Sequence, residues 1–469
     1  MKKIIIAVAA IAAVGLISPK FTGNAINQEI DKVIANINQM PGYHASIKNR
    51  ETSWFSSSAV INIGLDPAMF ADAGLDATQM EMFENLNGDV NLSAQHGPFL
   101  TLNGLDFGLS ALQVQTGDTT FREVLSFDEN ETFYSMTAKV GLFGGISFED
   151  KIPAFSLVLQ DELKASSAFS GWKGSGTASA DSAVYQGEIE SFAMSNDMMN
   201  VEVKSVKLNS VINASLDSVW KSDFYDSVGT FSIDLVNFEM PAINIKANFQ
   251  SFAMDVETIK SDDGDLMDIN MDYAFKSIDL PDFKASDLIV KTQLKNLEKE
   301  FFKAYQKASA KPLEMQKAMA DIIKTKLLPQ LQAAPEINIT EMSGKIADGT
   351  FSGKMLSKLV DVDSLPGTLE DPAFWVSKAL VDAKITADKP MAMWIGEQVI
   401  VSQIQADPNA AQLSKDEITA MAAGQVEGML SAVSQQGMIS VTSDGGYEFV
   451  FSMKDGQALL NGNPMPLPF

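Results

Sequence analysis

The sequence predicts an α+β protein: a long, curved, bulged antiparallel β-sheet with packed helices, preceded by an N-terminal membrane-anchor helix. Three observations predict it. Apolar residues alternate with a period of two from Tyr43 to about Val290, broken by turn residues, as in half-buried strands. Helical spacings of three and four take over from about Ser286 to Gln332 and return in later segments. An unbroken apolar stretch from Ile4 to Ser18 follows Met1-Lys2-Lys3.

Residues 1–20 read as a signal-anchor or transmembrane segment. A helix over residues 4–18 covers about 22 Å at 1.5 Å per residue. The hydrocarbon core is about 30 Å thick, and Lys2, Lys3 and Lys20 can snorkel across part of the difference. Basic residues at the start stay cytoplasmic and the remainder is exported. A cleaved signal competes, with a cut after Ala25 and Gly23 at the −3 position. Residues 21–42 form a helical stalk. Ile26, Ile30, Val33, Ile37 and Met40 recur at alternating steps of four and three, a coiled-coil seam that either packs on the chain's own body or makes a homodimer. Pro41-Gly42 ends it.

Residues 43–290 form a β-rich body in which one pattern repeats. An apolar residue is followed by a second three positions on and a third two after that. It reads Ile189-Glu-Ser-Phe192-Ala-Met194, Val203-Lys-Ser-Val206-Lys-Leu208 and Leu235-Val-Asn-Phe238-Glu-Met240. Phe249-Gln-Ser-Phe252-Ala-Met254, Phe275-Lys-Ser-Ile278-Asp-Leu280 and Leu102-Asn-Gly-Leu105-Asp-Phe107 repeat it. A step of three would send half of each apolar set to the opposite face. One surplus residue, a β-bulge at the Ser or Asn, restores the face and bends the strand. Neighbouring bent strands make a strongly coiled sheet. Such a sheet either encloses an ordinary core or presents an open apolar trough. Asp263-Gly264, Asp455-Gly456 and Asn461-Gly462 favour tight hairpins.

Residues 291–335 read as a basic amphipathic helical segment. Lys291, Lys295, Lys299, Lys303, Lys307 and Lys311 are spaced by four, so on a helix they form a slowly winding ridge. The ridge is a candidate contact for anionic headgroups or an acidic envelope partner, or it answers the protein's own acidic sheet. Residues 336–469 form a C-terminal α+β part. One helix is expected at Pro372–Ala383 with Asp371 as N-cap. Another runs from about Lys415 to Gln435, opened by the capping box of Ser414 and Glu417. A hairpin from Tyr447 to Leu460 closes the chain, and Pro464, Pro466 and Pro468 argue against a paired strand after it.

Composition excludes several functions. The 469 residues carry 35 Lys plus Arg against 60 Asp plus Glu, a formal charge of −25, which repels phosphate backbones and argues against nucleic-acid binding. The absence of Cys removes thiol catalysis, disulfides and thiolate metal sites, and suits an oxidising compartment. No nucleophile elbow, P-loop, zinc helix or dinucleotide fingerprint occurs. His44 and His96 are the only histidines and stand apart. The acidic run from Asp262 to Asp272 lacks the spacing of a calcium loop and reads as a strand with a solvated face. The reading is therefore of a non-enzymatic protein with no cofactor, no metal and no catalytic residue.

His96-Gly97-Pro98-Phe99 follows the strand Asp89-Val-Asn-Leu-Ser. This tetrapeptide resembles the hallmark of the bacterial YdgA-like family, a domain of unknown function in the Gram-negative envelope. Phe21-Thr22-Gly23 resembles its aromatic-x-Gly junction and Trp54-Phe55-Ser56-Ser57 its Arg-Gly-x-Phe-Ser-Ser strand, although Arg-Gly is absent here. Pro335-Glu336-Ile337-Asn338-Ile339, Asp455-Gly456 and Asn461-Gly462-Asn463-Pro464-Met465 are similar to its C-terminal half. The resemblance implies a protein held in the inner membrane through residues 4–18, with its body in the periplasm. It implies no activity, ligand or catalytic residue. Two functions follow: sheltering an apolar, lipid-like ligand on the sheet, or self-association and docking of envelope proteins through the stalk and helices.

Overall fold

Alternating apolar and polar residues become antiparallel ladders along most of the chain. The computed structural model describes residues 30–32, 34, 35, 37, 38, 43–65, 87–102, 105–117, 119–122, 125–157, 165–215, 218, 219, 223–309, 315–406 and 413–467. The expected anchor at 4–18 and Lys311 lie outside them. Among the described residues no helix is long and apolar enough to cross a membrane. The chain divides into two compact units. One comprises Met1–Asp234, Phe238–Ile243 and Lys303–Ala320, the other Leu235–Asn237, Asn244–Phe302 and Asp321–Phe469.

In the first unit β1 (Tyr43–Thr52), β2 (Ser56–Leu65) and β3 (Asn87–His96) form a meander. A small hairpin of β4 (Phe99–Leu100) and β5 (Asp106–Phe107) follows. The sheet resumes with β6 (Ser110–Thr116). β7 (Leu125–Ser126) lies outside it, and β8 (Ser135–Val140) and β9 (Ile146–Ile152) extend it. β10 (Ser156–Leu157) pairs with β7. β11 (Ser166–Phe169) and β12 (Trp172–Ala178) lie one after the other along β13 (Ala183–Ser195), and β14 (Asn200–Asn213) flanks its other side. The core of this unit joins Ile61, Leu92, Val114 and Met136 to Ile30 and Ile37, each buried aliphatic contributing about 1.5–3 kcal/mol. The described part of the stalk seam is therefore spent on the chain's own body.

β15 (Asp226–Met240) leads into the second unit. There β16 (Ile245–Lys260), β17 (Leu266–Leu280), β18 (Phe283–Glu298), β19 (Glu336–Ile346), β20 (Gly349–Leu359) and β21 (Ala379–Ala387) pair in sequence order, all antiparallel. β22 (Ser440–Val441), β23 (Tyr447–Lys454), β24 (Gln457–Leu460) and β25 (Asn463–Met465) complete the sheet, with β23 against β21. The helices Lys389–Ala406 and Lys415–Gln435 pack through Ala392, Ile400, Ala422, Val426 and Leu430.

Four expectations need correction. Residues 291–298 are strand, not helix: β18 runs on to Glu298, and the helices are Lys299–Ser309, Met315–Thr325 and Leu327–Gln332. Ladders on both sides of β18 override its local preference, since tertiary pairing outweighs propensity. The helix that Asp371 caps stops at Lys378, because Ala379–Ala387 is taken by β20 and β23. A helix at Lys389–Ala406 was not foreseen, because its apolar residues are spread around it rather than forming one stripe. Pro464 does sit in a paired strand, β25, at the margin of the sheet, where a missing N–H costs little. The capping box of Ser414 and Glu417 forms as expected.

The expected surplus residues are present in a modified form. Between β13 and β14, Ile189 pairs with Val206 and Ser191 with Lys204, so Glu190 and Ser205 leave the ladder together. Between β16 and β17, Gln250 pairs with Ser277 and Phe252 with Phe275, so Ser251 and Lys276 leave it together. Between β17 and β18 the same occurs at Lys276 and Asp287. Ser205, Ser251 and Asp287 hold left-handed backbones with φ of 52°, 49° and 52°. Because each neighbour carries its own extra residue, the register is unchanged across these kinks. The expected markers hold at Ser205 and Ser251 and are off by one residue on β13 and β17.

Candidate functional site

Two of the segments singled out in the sequence meet at one corner of the first unit. β3 ends at His96 because Pro98, two residues on, has no N–H to continue a ladder. The His96 N–H donates to Phe55 O at 2.9 Å and the Gly97 N–H to Leu109 O at 2.8 Å. The His96 ring is buried, with Nε2 3.2 Å from Ser57 Oγ. Its Nδ1 has no hydrogen-bond partner among the described residues. Burial holds the imidazole below its ordinary pKa, so it is neutral. A Cβ on Gly97 would stand 1.7 Å from Gly108 O, so only glycine fits there. Phe99 is exposed and its ring lies 5.2 Å from that of Phe107. The tetrapeptide thus builds a rigid turn with an outward aromatic pair. Ser57 belongs to the Trp54–Ser57 segment, whose spatial link to His96 had no signal in the spacing.

The lysine series does not form one ridge. Lys291 and Lys295 lie on β18, where Lys291 faces Asp272 and Glu341 and Lys295 faces Glu336. The Lys291 ammonium sits 3.2 Å from the Glu341 carboxylate. Lys299 opens the next helix, and Lys303 contacts Asp223 at 2.9 Å. Lys307 is exposed in that helix's last turn. The ladder lysines belong to a polar face on which Glu336 also meets Lys358 at 3.0 Å and Glu448 meets Lys384 at 2.5 Å. The Lys358 ammonium holds the Glu336 carboxyl below its usual range.

The other face of this sheet is apolar across its width. Met254, Tyr273, Val290, Met342, Gly353, Ile385 and Phe449 stand opposite one another from β16 to β23. A second row runs Val256, Met271, Thr292, Ile339, Met355, Ala383, Phe451 and Leu460. A register shift on β19 between Ile339 and Met342 keeps both rows on one side. Seven strands span six gaps of about 4.8 Å, roughly 29 Å. None of these residues is fully buried: all are half-buried except Ile385, which is 41% exposed. In the first unit, by contrast, β2, β3, β6 and β8 bury their apolar rows fully, while Ile189, Phe192, Val203 and Val206 on β13 and β14 are half-buried.

One buried carboxylate had no sequence signal. Asp150 accepts from Trp172 Nε1 at 2.8 Å and from the Tyr185 hydroxyl at 2.9 Å. Burial pushes its carboxyl up, against the pull of those two donors. All its partners are structural, so it braces β9 against β12 and β13. Among the described residues no group of three or more His, Cys, Asp or Glu side chains could hold a metal ion.

The family model described as "Bacterial protein of unknown function (DUF945)" matches residues 1–468. The chain belongs to that bacterial family. Neither the curated proteins nor the solved structures contain a significant match.

Proposed function

We propose that this family member is a non-enzymatic cell-envelope protein whose body shelters an apolar, lipid-like ligand against the open apolar face of the second unit. In this reading residues 4–18 hold it in the inner membrane and the body lies in the periplasm, as the resemblance to the YdgA-like family implies. The observation that carries the ligand is the pair of apolar rows from β16 to β24. Apolar area that such half-buried residues leave in water costs roughly 25 cal/mol per Å², and faces of this kind mark binding surfaces. Five methionines lie in or beside the rows: Met254, Met271, Met342, Met355 and Met453. Their flexible thioethers adapt to ligands of varied shape. Self-association through the stalk is the weaker reading, since Ile30 and Ile37 are consumed by the chain's own core.

Lipid mass spectrometry of the purified full-length protein tests this. Co-purifying lipid is expected from the parent protein. Val290→Asp or Met355→Asp, each placing a carboxylate in the middle of the face, should reduce it about tenfold, the equivalent of about 1.4 kcal/mol. A parent protein that carries no lipid would overturn the reading.

A further inference from the structure

Three loops join strands at the same end of the first unit, and the middle one folds back toward the sheet, with Thr101 bonded to Gln95. The register pairs Thr52 with Ser57, His96 with Ser110, Ser110 with Val140 and Val140 with Ile146. Residues 53–55, 97–102, 105–109 and 141–145 are therefore neighbours along one rim. Trp54, Phe55, Phe99, Phe107, Leu142 and Phe143 are all exposed there, Trp54 by 93% and Phe143 fully. Phe143 tops a turn closed by Gly141 and Gly145, in which the Gly141 N–H donates to Gly145 O at 2.8 Å. In a chain of net charge −25 these loops hold one ionisable residue, Asp106, and Lys139 neutralises it. These three loops are thus apolar and carry no net charge, and the polar β12–β13 turn at residues 179–182, with Asp181, bounds them at the same end of the sheet.

The chain also enters the unit at this rim. Residues 30–38, where described, are helical and run antiparallel to β1. Asp31 meets Arg50 at 2.6 Å, while Asn38 bonds the backbone of Ala45 at 2.7 and 3.0 Å. The helix therefore begins beside Arg50, three residues before the Ser53–Phe55 loop. The covalent chain leading back to the apolar run 4–18 joins the body here. Eleven residues, 19–29, separate Ser18 from Ile30, a span of at most about 40 Å.

We propose that this rim rests in the bilayer that residues 4–18 enter, with the aromatic loop tips at the headgroup–acyl boundary; this rests on the reading of 4–18 as an anchor. Apolar side chains at such a boundary sit about 5–10 Å deep, and aromatic rings favour that depth. An anionic leaflet repels most of this acidic protein; the neutral rim is the part that can approach. The proposal fixes the orientation of the first unit on the membrane and explains why so many large apolar side chains stay in solvent.

The absence of Cys makes the test clean, since Phe143→Cys supplies a unique thiol on a side chain that packs against nothing. The full-length variant, labelled with an environment-sensitive fluorophore, is reconstituted into phosphatidylcholine–phosphatidylglycerol vesicles containing acyl-chain nitroxide lipid. Met198→Cys, exposed in the β13–β14 turn at the opposite end of the ladder, is the control, and Trp54→Cys is the second rim position. Flotation with the vesicles, with quenching several-fold stronger at 143 and 54 than at 198, is the expected result. Flotation with equal or no quenching at the three positions overturns the rim and leaves the anchor standing. Failure to float at all overturns the anchor reading, and the rim with it.

Discussion

Gly97 stands where no side chain fits, because the Gly108 carbonyl occupies the position a Cβ would take. Gly97→Ala should therefore destabilise the protein by about 1–3 kcal/mol, the usual cost of overpacking. Gly88→Ala, which meets nothing within 4 Å, should be near neutral; urea unfolding of both variants checks the contrast. His96, next in the chain, is buried and neutral, with its folded pKa below the ordinary value. A histidine of this kind contributes stability that is present above the unfolded pKa of about 6.5 and is lost as pH falls toward the folded value. The stability of the parent protein should decline below about pH 6.5 more steeply than that of His96→Gln, measured by thermal melts across pH 5–8. Equal slopes would mean that another group titrates. The outward residue of the turn, Phe99, is free of this packing and available for contact.

At the scale of the element, the left-handed serines are the distinctive feature. A non-glycine residue in that region costs about 1–2 kcal/mol, and glycine in a strand loses part of that advantage through its entropy. Ser251→Gly should therefore stabilise the fold by up to about 1 kcal/mol, and Ser251→Val should destabilise it, read as opposite shifts in the urea midpoint. The apolar step of three located Ser205 and Ser251, because a strand that must keep one face can do so only with an extra residue. It holds at Asp287 as well, where Ala285-Ser-Asp287-Leu288-Ile-Val290 makes the same step of three, although the additional apolar Ile289 blurs the pattern there. β18 also shows a failure of spacing. Its lysines repeat every four residues, which suits a helix, but a period of four is also a multiple of two and suits a strand. Pairing with acidic residues on β17 and β19 settled which it became. The Asp371 cap and the Ser414–Glu417 box were legible because a cap involves only residues within one turn.

For the whole molecule, the contrast between the units bears on function. The first buries the apolar rows of β2, β3, β6 and β8 around Ile30 and Ile37, and leaves apolar side chains exposed at one rim. The second spreads two apolar rows over seven and eight strands and fully buries neither. Of these features, only the apolar rows were partly visible beforehand, as an apolar period of two. They could not be assigned to a face, because a face is defined by partners far along the chain. What the sequence determined by itself was local: strand alternation, the Asp455-Gly456 and Asn461-Gly462 turns and the helix caps. What only the tertiary structure decided was relational: that Trp54–Ser57 meets His96, that Lys291 and Lys295 answer acidic neighbours, and that one sheet face stays open. The reason is physical. Backbone preferences act within a few residues, whereas burial and ion pairing depend on which distant strand arrives alongside.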